Sequence, residues 1–232
     1  MMAKQPARSA AQFLPAKPTL TALKKAAASC KGCDLYQHAT QTVFGEGSSH
    51  AKVILLGEQP GNQEDRSGHP FVGPAGKLLD KALVEAGLAR DEVYVTNAVK
   101  HFKWEPQGKR RKHKRPSAAE MAACRPWLTA ELQVIRPEIL VCLGATAAQS
   151  ILGGTTRLRA VRGKFIQTKW APATFVTVHP SSILRQPDPA EREAEYERFV
   201  SDLKLVARRV HEERATGGGA KSANDDTKSS KS

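Results

Sequence analysis

The chain has 232 residues, 40% of them apolar, which is enough for one substantial domain with its own core. No apolar run is long enough to span a bilayer, so a helical membrane protein is set aside. A formal net charge of +13 points to a polyanionic partner, nucleic acid first.

Residues 1–19 are rich in Ala, Pro, Lys and Ser, hold no acidic residue, and read as a disordered basic arm. No clear amphipathic arginine pattern supports a transit peptide, and no apolar stretch after the start supports a secretory signal. The expected compartment is a reducing bacterial cytosol or nucleoid. Residues 19–29 look helical and lead into Cys30-Lys31-Gly32-Cys33. Val53 to Leu56 is an apolar run that ends in the turn Gly57-Glu58-Gln59-Pro60-Gly61. Such a run between turn signals reads as a buried strand. The turn after it falls at the carboxyl edge of the sheet, where open α/β folds bind ligands. Taken alone, Glu58 is equally a solvated residue in an ordinary strand-to-helix turn.

The alternation continues with helices over 74–86, 117–135, 145–152 and 191–210 and strands over 92–98, 138–143, 165–168 and 174–178. Ser117 and Glu120 form a capping box at the second helix. Alternating strands and helices predict a parallel sheet covered on both faces. Residues 211–232 are rich in Gly, Ala, Ser and Lys and read as a disordered tail, leaving 20–210 as the domain.

Four cysteines are present. Cys30 and Cys33 have the spacing of a metal-binding pair, Cys124 lies inside a helix, and Cys142 ends a strand. Four thiolates suit an iron–sulfur cluster or a structural zinc, and the spread suggests a brace between the N-terminal helix and the core. Cys142 alone would read as a buried core thiol.

Residues 101–116 are long for a strand-to-helix connection. They contain Phe102, Trp104 and the run Lys109-Arg110-Arg111-Lys112-His113. The cations could grip phosphates and the aromatics could stack a base. A solvated charge run is the plain alternative. His113 is the odd member, because phosphate affinity needs no imidazole. Neighbouring cations should lower its pKa, and a neutral imidazole is a competent nucleophile.

The last strand runs into His179-Pro180-Ser181-Ser182-Ile183-Leu184-Arg185. His179 should share the carboxyl edge with Glu58 and Asn97. The Gly57–Gly61 turn, the four cysteines and His179-Pro180-Ser181 together resemble the uracil-DNA glycosylase superfamily, in particular its iron–sulfur branch, family 4. Gln59 and the basic insertion ending in His113 narrow the resemblance to the UdgX branch, which becomes covalently attached to uracil-containing DNA. Lys112 departs from that pattern, in which an aliphatic residue precedes the histidine.

The resemblance implies a three-layer α/β/α sandwich around a mainly parallel four-stranded sheet. It implies a monomer acting on uracil-containing DNA, single- or double-stranded, with uracil flipped into the crevice. Phe71 would stack on the base, and Asn97 would read its edge, assisted by Gly57 and the backbone of Gln59. His179 would stabilise the departing uracil anion, and Glu58 the cationic sugar. His113 would then bond to the sugar carbon. Lys109, Arg110, Arg111, Ser181 and Arg185 would hold the strand, and Cys30, Cys33, Cys124 and Cys142 a [4Fe-4S] cluster. Three other readings compete: a hydrolytic glycosylase with turnover, a non-catalytic DNA-binding module, and a nucleotide-binding α/β enzyme. The last lacks a glycine-rich phosphate loop.

Overall fold

The computed structural model describes residues 8–217. Helix α1 (Leu20–Ala27) starts at Thr19, whose hydroxyl accepts from the Ala22 N–H at 3.1 Å. Strand β1 (Val53–Gly57) follows, then α2 (Asn62–Ser67), α3 (Pro74–Ala86) and β2 (Val93–Asn97). A separate hairpin of β3 (Trp104–Gln107) and β4 (Arg110–His113) precedes α4 (Ala118–Ile135). The chain continues through β5 (Ile139–Leu143), α5 (Ala145–Leu152), α6 (Leu158–Val161), β6 (Phe165–Ile166), β7 (Ala173–Thr177), α7 (Pro180–Leu184) and α8 (Pro189–Gly217). Among the described residues no helix is long and apolar enough to cross a membrane.

The main sheet has the order β2-β1-β5-β7-β6. The first four strands are parallel, as expected, and the two-residue β6 adds an antiparallel edge. These four strands are buried along their whole length because helices cover both faces, which is why β1 reads as continuous rather than alternating apolar residues. Val53 and Leu55 join the core formed with α3 and α8 through Leu79, Leu83, Phe199 and Leu203. Ile54 and Leu56 join the opposite core, with Leu128 and Leu132 of α4. Three layers result.

The sheet order reverses at β1, which has β2 on one side and β5 on the other, so the connections part above its carboxyl end. The register pairs Gly57 with Asn97 and Leu143 with Thr177. Glu58, Gly144 and His179 therefore emerge along one edge.

Two expected boundaries shift. Within the N-terminal arm, Ala10–Phe13 forms a 3-10 helix capped by Ser9, and Ala10 is buried beside Leu23, Ala27 and Trp127. A few apolar residues in a polar stretch suffice to dock it between α1 and α4. Residues 1–7 lie outside the described residues. At the other end α8 passes the expected stop near residue 210, and the rest of the expected tail, 218–232, lies outside the described residues.

Candidate active site

Gly57 closes β1 where two other groups converge on the backbone. A Cβ at this position would collide with Asn97 Oδ1 and Phe71 Cζ. Glycine is what lets the amide and the ring meet above the strand. Asn97 is 3% exposed, and its side-chain amide has no hydrogen-bond partner among the described residues. The amide is also not sealed from solvent, so both its oxygen and its nitrogen are available to a ligand.

Phe71 is buried and has a φ of +59°, which a bulky residue adopts only under strain of about 1–3 kcal/mol. Gly76 permits this, since a Cβ there would strike the Phe71 carbonyl. The strained backbone turns the ring inward. It stacks toward His179, with ring centres 6.2 Å apart and planes inclined by 28°.

His179 caps α7 with its own ring. The Ser181 N–H donates to Nδ1 at 3.2 Å, and the Ser181 hydroxyl lies 2.8 Å from the same nitrogen. Nδ1 is thus an acceptor, and the ring proton sits on Nε2. Burial first, and then the charge of Arg185, lower its pKa to about 4. The group is a neutral donor at physiological pH. Arg185 donates to Ser181 Oγ at 3.1 Å, so these two expected DNA contacts also orient His179.

Glu58 follows Gly57, with the Val99 N–H donating to its carbonyl at 3.0 Å. Its Oε2 accepts from the Thr146 hydroxyl. Thr146 sits just after the β5 strand end and escaped the sequence reading, because a lone helical threonine carries no signal. Oε1 faces His113 Nε2 at 3.5 Å.

The basic segment is an ordered hairpin, and its aromatic residues point inward. Phe102 is 1% exposed, Trp104 donates to the His38 carbonyl at 2.9 Å, and both rings flank the Arg111 guanidinium at 5.3 Å. They stack on the protein's own cation instead of a free base. Arg111 itself pairs with the fully buried Asp65 at 2.6 Å and with Asn62 Oδ1 at 2.7 Å. Its guanidinium therefore anchors the hairpin, where a phosphate contact was expected. Lys109 and Arg110, at the turn, are exposed.

Gln59 clamps the base of the hairpin. Its oxygen accepts from the Lys103 N–H at 3.1 Å, and its nitrogen donates to the Lys114 carbonyl at 2.9 Å. The same nitrogen lies 2.9 Å from His113 Nε2. It also donates to the Lys103 carbonyl at 3.2 Å, so its two protons are shared among three acceptors, with His113 Nε2 as the third. The expected lowering of the His113 pKa holds, but desolvation leads and Arg185 adds to it, against the pull of Glu58. Half of the side-chain surface stays open. Lys112 points away on an exposed position of β4.

The cysteines divide. Cys30, Cys33 and Cys124 share one buried cluster with Trp127. Backbone and indole N–H groups face their sulfurs: Lys100 N–H to Cys124 at 3.3 Å, and Trp127 Nε1 to Cys30 at 3.2 Å. Burial raises the thiol of Cys124 to about 12, and Cys30 and Cys33 also act on it. Cys142 lies in the other core, with Leu56 and Val176, and only burial acts on it. Cys142 therefore stands apart from the other three, against the expected four-thiol site. A cysteine on a central strand simply faces whichever core its register dictates. His101, passed over in the sequence, is buried one residue beyond Lys100, and its pKa is lowered to about 4 by burial. Thr42 donates its hydroxyl to the Ala27 carbonyl, so it accepts from His101 Nε2 at 3.0 Å, and Nδ1 is left as a lone pair. Among the described residues no three ligating side chains stand ready around a single ion.

Residues 44–204 match the model of the uracil DNA glycosylase superfamily. The chain is 38% identical over 185 residues to a type-4 uracil-DNA glycosylase of Archaeoglobus fulgidus, covering 77% of this chain and 86% of that one. It is 38% identical over 157 residues to the type-4 enzyme of Thermotoga maritima, covering 67% and 78%. To that of Sulfurisphaera tokodaii it is 34% identical over 208 residues, covering 86% and 91%. The chain belongs to the uracil DNA glycosylase superfamily.

Proposed function

We propose that the chain is a uracil-DNA glycosylase of the UdgX type, which excises uracil and becomes bonded to the abasic sugar through His113. One observation carries this reading. The Nε2 of the His113 imidazole is held 3.5 Å from the Glu58 carboxylate, at the strand edge that also bears Asn97 and His179.

The flipped base lies against Phe71, and the Asn97 amide donates to uracil O4 and accepts from N3–H. Cytosine presents the opposite pattern and leaves both groups unpaired. The N1–C1′ bond breaks with its electron pair passing to uracil, and His179 Nε2–H donates to the developing charge at O2. Glu58 stabilises the cationic sugar. His113 Nε2 forms the new bond to C1′ as the Gln59 amide releases it; the resulting imidazolium gives its remaining N–H proton to solvent at the open face of the ring, and the uracil anion takes one up as it leaves. Lys109 and Arg110 are free to meet phosphates at the hairpin turn, with Arg185 and Ser181 beside the flipped nucleotide. Incubation with a uracil-containing single strand should give a slower band that survives boiling in SDS. A band that vanishes on denaturation rejects the covalent step. Identity of 34–38% to type-4 enzymes favours a second reading, hydrolysis with turnover, which predicts free uracil and no such band.

Cys30, Cys33 and Cys124 fit an iron–sulfur cluster: three buried thiols that act on one another, faced by N–H donors, but not gathered around a point. His101 Nδ1 is the candidate for the remaining position. When bound, the group would tie the segment after α1 to α4 through these three cysteines. Cys124→Ala is expected to purify without iron, whereas Cys142→Ala keeps its iron and inorganic sulfide. Loss of iron from Cys142→Ala would restore the four-thiol assignment.

A further inference from the structure

Behind Asn97 lies an ion pair that water does not reach. The Lys100 and Glu131 side chains are 1% and 0% exposed, with Nζ 2.5 Å from Oε2. Lys100 Nζ also donates to Thr96 Oγ1 at 2.6 Å and to the Asn97 backbone carbonyl at 2.8 Å. All three ammonium donors are thereby used, and the Phe44 ring covers the charge at 5.3 Å. Glu131 accepts from the Tyr94 hydroxyl at 2.8 Å and from Thr96 at 2.9 Å.

Such a pair is a poor stabiliser, because desolvating two charges costs several kcal/mol and well-packed apolar residues often do as well. Its placement suggests another role. β2 is the edge strand of the sheet. On its outer side Val95 bonds Glu46 in both directions, at 2.8 and 2.9 Å. Two residues further on, Lys100 Nζ takes the place of a strand partner for Asn97. On the inner side, Ala98 and Val99 donate to the carbonyls of Gly57 and Glu58 at 3.0 Å. The end of β2 is thus fixed from both sides.

We propose that Lys100 and Glu131 are positioning residues that hold the Asn97 amide at the distance and angle from which it reads uracil. This inference rests on the uracil reading above. The test uses the full chain with its metal centre and a single strand containing one uracil, with free uracil as competitor. In the double variant Lys100→Met/Glu131→Leu, the free uracil needed for half-inhibition is expected to rise about tenfold. The protein concentration that half-saturates the DNA should change less than about twofold, because phosphate contacts are untouched. A general loss of structure would move both.

A folded double variant with wild-type inhibition by uracil overturns the inference. Should that variant not fold, Thr96→Val removes the hydroxyl between ammonium and carboxylate without changing volume. A rise of about threefold in the same constant is then expected, and none overturns the inference. A wild type that neither excises uracil nor responds to it overturns the uracil reading as well. A wild type that excises uracil beside variants that match it overturns this inference alone.

Discussion

Replacing His113 by serine is expected to remove the denaturation-resistant adduct and leave uracil release in its place. The imidazole occupies the gap between Glu58 Oε1, 3.5 Å away, and the Gln59 amide, 2.9 Å away. A serine side chain ends short of both. The freed space is polar on two sides, which is what an ordered water needs. That water can attack C1′ and pass its proton to Glu58, so the second reading becomes the activity of the variant. The rest of the machinery is unchanged: Asn97, Phe71 and His179 hang on other elements, and Arg111 still anchors the hairpin to Asp65. Because half of the His113 side chain is exposed and serine gives up only the contacts to Gln59 and Phe102, stability should fall by about 1 kcal/mol. Loss of the band therefore cannot be put down to unfolding. Two measurements decide: a denaturing gel for the adduct, and alkaline cleavage of the strand for the abasic product. An undiminished adduct would assign the bond to another nucleophile.

The strand-edge residues were legible in the sequence for a simple reason. Glu58, Asn97 and His179 each follow an apolar run that could only be a buried strand, and parallel strands place their ends on one edge. Gly57 and Phe71 were legible as part of a turn-rich stretch, although the collision that requires glycine needs coordinates to see. What failed was partner choice. Arg111 reads as a DNA contact because a cation in a basic run looks free, and nothing marks Asp65, 46 residues away, as its buried counter-ion. Phe102 and Trp104 were misjudged with it, since they complete the same stack. Gln59 was expected to work through its backbone, yet its side chain holds the hairpin. Counting assigned Cys142 to the metal site, but strand register turned it into the opposite core. Lys100 and Glu131 were invisible because a buried ion pair and two surface residues look alike in a sequence.

Glu58→Gln should slow base loss by about 10²–10³-fold, the effect of removing one aimed electrostatic group from a preorganised site. The substitution keeps the shape. A glutamine oxygen can still accept from the Thr146 hydroxyl, as Oε2 does now, and the Val99 N–H still donates to the residue-58 carbonyl at 3.0 Å. The negative charge is lost, and an amide N–H takes the place of Oε1 opposite His113 Nε2. In the ground state that charge does little, since uracil and its sugar are neutral. In the transition state it faces a sugar that has become cationic while the departing base becomes anionic. A group that interacts with the transition state and hardly with the bound substrate changes rate without changing affinity. DNA binding, followed by fluorescence anisotropy at fixed salt, should therefore stay within about twofold. The same mutation should slow adduct formation in parallel with uracil loss, because His113 attacks only once C1′ is electron-poor. If uracil left slowly while the adduct formed at its normal rate, attack would precede departure and the carboxylate would serve His113 alone. If both rates were normal, Glu58 would have no part in the chemistry, and the strand edge would be a binding surface and no more.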